Sequence, residues 1–220
     1  MDNESRAIRI ISMLRKSTQG MVVPASTSII QKYGKDPYRI LISCLLSLRT
    51  KDTVSLPASL RLFEQAKTPT QMLTLPLKHI EKLIYPCGFY RRKAALMHVV
   101  SQQLLDEFGG KVPSDEAQLL SLRGVGRKTA ALVQGVAFGI PAICVDTHVH
   151  RVSNRLGLVN TQTTQETESA LKKLLPEKYW LEITDLLIMH GQNVCVPISP
   201  FCSKCPVASL CPRKGVTRSR

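Results

Sequence analysis

A chain of 220 residues and 24.4 kDa is long enough to bury a core, as one large domain or two small ones, without disulfide or metal staples. Hydrophobic residues make up 44% and charged residues 21%, which excludes a disordered chain, and 12 Gly with 13 Pro exclude collagen-like repetition. A formal net charge of +14 and a sequence pI near 9.7 make a positive field that attracts polyanions, nucleic acid foremost.

Apolar residues recur at helical spacing almost throughout, and strict alternation over a strand's length is hard to find, so the sequence predicts an all-α fold. The first residues, Met1-Asp2-Asn3-Glu4-Ser5-Arg6, carry neither a secretory h-region nor an Arg-rich transit peptide; a soluble, intracellular protein is expected, cytoplasmic and nucleoid-associated if the source is prokaryotic. Ile8, Ile11 and Leu14 mark a first amphipathic helix. Asp36 and Pro37 read as N-cap and first residue of a helix through Ile40, Leu41, Leu45 and Leu46. Asp52 is expected to cap the next segment, where Pro57 suggests a late start or a kink. Further helices are expected from Pro69, from Leu77 to Tyr85, and from Arg91 to Phe108, the last stopped by Gly109-Gly110. Ser114, with Asp115 and Glu116 in the first turn, is expected to start a short helix to Leu122, and another helix follows Gly126. Helices near 147–156, 164–175 and 177–191 complete the set, before an aperiodic tail from Pro197. The apolar stretch from Thr129 to Val145 is broken by Gln134, Gly135, Gly139 and Pro141 and fails as a membrane span. No repeat or Gly/Ser linker divides the chain, which leaves Gly139-Ile140-Pro141 as the best local boundary. A Cys-rich tail too short to own a core must lean on other helices, the N-terminal one a candidate.

Three motifs carry chemistry. In Leu122-Arg123-Gly124-Val125-Gly126-Arg127-Lys128, two glycines two residues apart join two helices, which reads as a helix-hairpin-helix. Such a turn lets backbone approach a phosphate and aims helix N-terminal N–H groups at it, gripping DNA without reading bases; an ordinary Gly-containing turn is the bland alternative. Lys128 lies in the first turn of the following helix, where the dipole, Arg123 and Arg127 all disfavour an ammonium. That is the environment an amine nucleophile needs, although a phosphate-contacting or solvated lysine is the simpler reading of these residues alone. Asp146, in Val145-Asp146-Thr147-His148-Val149, is a favoured N-cap and follows apolar Ile143, Cys144 and Val145, so capping and partial desolvation are compatible; His148 beside it reads more simply as a surface or satisfied histidine. The tail gives Cys195-x6-Cys202-x2-Cys205-x5-Cys211, four thiols inside 17 residues, a metal site. One compact run flanked by Pro206 and Pro212 suits wrapping a single cluster more than the paired knuckles of a zinc ribbon, with zinc left open. Cys44, Cys87 and Cys144 read as small core residues.

Together these three ordered motifs resemble the endonuclease III family of helix-hairpin-helix base-excision DNA glycosylases, over almost the whole chain from the first helix to Cys211. The resemblance implies a six-helix barrel domain at about residues 30–140 and a cluster domain formed by 1–29 with 141–220, the DNA lying in a cleft between them. It puts the nucleophilic lysine on Lys128, the essential aspartate on Asp146, and the ligands of a [4Fe-4S] cluster on Cys195, Cys202, Cys205 and Cys211. It further implies DNA contacts from Arg49 and Asp52, from Phe89 in a duplex-wedging turn, from Gly124, Val125, Gly126 and Arg127 of the hairpin, and from His148. Arg49 stands where the bacterial pattern often has glutamine, Phe89 where it often has leucine, and Arg123 where the hairpin commonly has proline; the first two bear on opposite-base preference.

The expected activity is removal of oxidised pyrimidines from double-stranded DNA and cleavage 3′ to the abasic site by β-elimination through a lysine Schiff base, by a monomer with no membrane association. Two rivals stand beside it. An adenine-mismatch glycosylase of the same superfamily typically lacks the hairpin lysine and adds a C-terminal recognition domain; a non-catalytic, metal-folded DNA-binding module needs neither Lys128 nor Asp146.

Overall fold

The computed structural model describes residues 2–21, 23 and 25–220. Among them no strand occurs, and no helix is long and apolar enough to cross a membrane. The helices are α1 Asn3–Ser17, α2 Ala25–Tyr33, α3 Pro37–Ser47, α4 Asp52–Gln65, α5 Pro69–Thr74, α6 Leu77–Ile84, α7 Tyr90–Phe108, α8 Glu116–Ser121, α9 Arg127–Phe138, α10 Thr147–Arg155, α11 Thr164–Leu174 and α12 Trp180–Asn193. Single 3-10 turns at Glu177–Tyr179, Cys202–Lys204 and Ala208–Leu210 complete the described structure.

The chain divides into two compact units, Pro24–Ile140 and the discontinuous pair Met1–Val23 with Pro141–Arg220. In the first, α3 is buried on nearly every side, with Tyr38, Ile40, Leu41, Ile42, Cys44, Leu45 and Leu46 all in the core. A helix of that kind belongs at the centre, and α2, α4, α7 and α9 pack around it. Each fully buried Leu or Ile there contributes about 1.5–3 kcal/mol relative to exposure. Ile29 of α2 lies in the same core, so α2 belongs wholly to this unit rather than dividing at residue 30.

The second unit has its own core, built from Ala7, Ile10, Ile11 and Leu14 of α1 with Val149, Val152, Leu171, Ile183 and Leu187. Ile8, expected on that buried face, is only half-buried. The N-terminal helix does hold the tail: Arg6 donates to the carbonyls of Leu156 at 3.0 Å, Gly157 at 2.5 Å and Leu210 at 2.8 Å. Arg15 adds a two-bond ion pair to Glu182 of α12, at 2.6 and 2.8 Å.

Side-chain caps from the adjacent residue mark six of the twelve described α-helix starts. Asp36 accepts from Arg39 N at 3.0 Å ahead of Pro37, and Gly109 closes α7 in the left-handed region at φ 59°. Three expectations need correction, and α2 is a helix that the sequence pattern does not announce. α4 begins at Asp52, five residues before Pro57, and not late; Asp52 is its first residue, not its cap. Asp115 rather than Ser114 caps α8, accepting from Gln118 N at 3.0 Å. The 177–191 helix opens with a 3-10 turn, so α12 itself starts at Trp180.

Candidate functional site

The hairpin is built by α8, α9 and the five residues between them. Leu122 and Val125 anchor it in the core, 1% and 7% exposed, and Val125 N closes a tight turn on Leu122 O at 3.1 Å. Gly124 has φ +77°, and a Cβ on it would stand 2.9 Å from a Leu96 methyl, so both conformation and space demand glycine. Gly126, the N-cap of α9, has φ −102° and nothing within 4 Å of a Cβ position. No internal contact requires glycine there. What its missing side chain does is leave the exposed start of α9 open, and no side chain caps that start. Arg127 and Lys128 occupy the first turn, both exposed. Gln103 of α7 holds the turn from behind, accepting from Arg123 N at 3.0 Å and donating to Ser121 O at 3.1 Å.

Arg49 and Phe89, expected to touch DNA from separate stretches of sequence, come from neighbouring loops of the same unit. Both are exposed, and both adopt left-handed backbone, φ 52° and 57°. A Cβ on Gly88 would meet Arg49 O at 3.1 Å, so the 85–89 turn lies directly against the α3–α4 loop. Lys93, the last residue of the basic run Arg91-Arg92-Lys93, is buried beneath them, and burial pulls its ammonium below the usual lysine range. Asp52 is engaged within the fold, where its carboxylate accepts from Ala25 N at 3.2 Å and so caps α2.

In the other unit, Asp146 caps α10, its Oδ1 accepting from His148 N at 2.8 Å and Val149 N at 2.9 Å. Buried Ile143, Cys144 and Val145 precede it and the carboxylate is half-exposed, so capping and partial desolvation coexist. His148 packs on α12 where Gly191 brings the two helices close, and its Nδ1 accepts from Arg151 at 3.1 Å.

Cys195, Cys202, Cys205 and Cys211 all line one recess, partly open to solvent, together with Arg155, His190, Phe201 and Arg213. Among the described residues, no three His, Cys, Asp or Glu side chains converge tightly enough for a single metal ion. Arg155 Nη1 donates to Cys195 Sγ at 3.7 Å and Arg213 N to Cys211 Sγ at 3.4 Å. Burial pushes the Cys205 and Cys211 thiols up, and the neighbouring sulfurs add to it. Holding Cys205 and Cys211 as thiolates therefore requires a group that brings positive charge. Burial alone lowers His190, against this recess, to about 4, which keeps it neutral. Cys44, Cys87 and Cys144 are buried at 4%, 1% and 4%, in their expected role.

Known proteins share the sequence pattern and the fold. Residues 42–177 match the HhH-GPD superfamily base excision DNA repair protein family. The endonuclease III of Thermotoga maritima is 41% identical over 210 residues, covering 91% of this chain and 99% of that protein. A solved non-covalent endonuclease III–DNA complex superposes with a TM-score of 0.84 at 34% identity, covering 97% of each chain. A trapped endonuclease III–DNA covalent intermediate gives 0.82 at 34% identity, again over 97% of each. The chain therefore belongs to the HhH-GPD superfamily of base excision DNA repair proteins, among the endonuclease III relatives within it.

Proposed function

We propose that this chain removes oxidised, ring-saturated pyrimidines from duplex DNA and then cleaves the abasic strand, with Lys128 as nucleophile and Asp146 as the assisting carboxylate. The observation that carries the reading is the start of α9, an exposed helix N-terminus opened by Gly126, without a side-chain cap, and with a lysine in its first turn. Backbone N–H groups and helix dipole there suit a DNA phosphate and hold the lysine beside the sugar.

A stacked base is out of reach, so the damaged nucleotide is rotated from the helix, a step that costs least for a base that has lost planarity and stacks poorly. Arg49 and Phe89 fill and wedge the vacated stack. The Lys128 amine forms a bond to C1′ while the glycosidic bond breaks, the base leaving with the electron pair and a proton. Asp146 stabilises the oxocarbenium character of C1′ and helps take the proton from the amine. Ring opening gives a protonated imine, which acidifies C2′–H. Loss of that proton expels the 3′ phosphate, cutting the strand 3′ to the abasic site.

Cys195, Cys202, Cys205 and Cys211 are the ligands we assign to a [4Fe-4S] cluster. Four thiols spread around a recess suit a polynuclear group better than zinc, which draws four thiolates to about 2.3 Å, and the donors from Arg155 and Arg213 suit its sulfurs. When bound, the cluster supplies the charge that holds these thiols as thiolates and ties the tail to α10 and α12.

Single-turnover incision of a duplex carrying one thymine glycol tests the assignment. Wild type is expected to incise it and Lys128→Ala to lose incision. Asp146→Asn keeps the cap, since Asn caps as well as Asp, and is expected to bind the duplex while excision falls about 100-fold or more. Undiminished incision by Lys128→Ala overturns the reading.

A further inference from the structure

Lys93 lies in the first turns of α7, only 6% exposed. A buried ammonium is expensive unless each of its donors is satisfied. Here three acceptors meet it: Leu46 O at 2.6 Å, Leu48 O at 2.8 Å and Thr50 Oγ1 at 2.7 Å. The two carbonyls belong to the C-terminal end of α3, where the helix dipole favours a cation. The main-chain N–H of the same residue donates to the Phe89 carbonyl at 3.0 Å. One residue thus bonds to Phe89 and to the residues on both sides of Arg49.

Those two positions need such a hold. Arg49 and Phe89 are non-glycine residues in left-handed backbone, each at an expense of about 1 kcal/mol or more, and such conformations persist only where the surroundings over-determine them. Gly88 allows the two loops to touch, with Arg49 O 3.1 Å from where its Cβ would be. A bonded network under two exposed side chains makes a rigid pair, whereas two independent loops would each spend ordering entropy on meeting DNA.

We propose that Lys93 is a positioning residue that locks the 46–50 loop to the 88–89 turn, so that Arg49 and Phe89 probe the duplex as one unit and together sense the base opposite the lesion. This role rests on the glycosylase and lyase reading above and extends it to the choice of substrate context. A lysine that merely supported the fold would influence all substrates alike, and that difference is measurable.

The test compares single-turnover rates on two kinds of DNA: duplexes with thymine glycol opposite adenine or guanine, and a single-stranded oligonucleotide with one abasic site. The single strand has no opposite base to sense. Lys93→Met, similar in length but uncharged, is expected to lose about 100-fold on the duplexes, the size of effect that a 1 Å misplacement produces. Its adenine-to-guanine ratio should move toward one while single-strand cleavage stays within about 2-fold of wild type. Lys93→Arg is expected to restore part of the duplex rate. Equal losses on both kinds of DNA, or no loss on the duplexes, overturn the proposal. If Lys93→Met fails to fold, Thr50→Val removes one anchor and keeps side-chain volume; it should lower the duplex rate several-fold at constant single-strand rate, and an unchanged ratio between the two overturns the proposal. A wild-type protein that leaves the thymine glycol duplexes intact contradicts the parent reading, a result distinct from any change at Lys93.

Discussion

Gly124 and Gly126 stand two residues apart and are glycine for different reasons. The first satisfies the protein itself, through φ +77° and the Leu96 methyl 2.9 Å from a would-be Cβ. The second satisfies nothing inside the protein, because its φ is −102° and its Cβ position is open. Gly124→Ala is expected to lower stability by about 1–2 kcal/mol. Gly126→Ala is expected to change stability by less than about 1 kcal/mol yet to weaken binding to an abasic-site duplex, since a methyl group there would meet the approaching phosphate. Thermal melts and a binding titration on both variants check this, and a Gly126→Ala protein with wild-type affinity would show that close backbone approach plays no part. The sequence displayed both glycines and the lysine after them, so the hairpin was legible from residues 122–128 alone. It did not tell the two glycines apart, because that difference lies in Leu96, 28 residues upstream of Gly124. Lys93 carried even less signal. Its partners at 46, 48 and 50 are contacts that only the folded chain creates.

At the level of helices, starts with a local cap were readable and those with a remote cap were not. Asp36-Pro37 and Asp146 announce α3 and α10 because cap and helix are contiguous. α2 carries no such signal because its capping carboxylate, Asp52, comes 27 residues later. The same bond explains why Asp52 looked like the cap of α4: it is an aspartate at a helix start, but its side chain serves another helix. Removing it should act through α2. Asp52→Ala is expected to lower stability by about 1 kcal/mol, with amide exchange accelerating first in residues 25–33 and with little change in DNA affinity beyond that. Unchanged exchange in α2 together with a sharp loss of affinity would return Asp52 to the role of a DNA contact. Ser114 illustrates a smaller limit. Two adjacent capping residues precede α8, and only the backbone geometry at Asp115 selects between them.

Across the whole molecule, the charge and the tail cysteines stated more than the hydrophobic pattern did. A net charge of +14 pointed to a polyanionic partner before any helix was placed. The four tail cysteines pointed to a metal group, and in the fold they share one recess. The discontinuous unit was harder to read, since nothing in residues 1–23 names a partner more than 100 residues away. Arg6 supplies that link through the carbonyls of Leu156, Gly157 and Leu210. The proposed chemistry depends throughout on the hairpin amine becoming covalently joined to the abasic sugar. Reduction with borohydride during reaction with an abasic-site duplex, followed by digestion and mass spectrometry of the cross-linked peptide, measures this directly. One reduced adduct is expected, on Lys128. An adduct on any other lysine, or none in a protein that still cuts the strand, would contradict it.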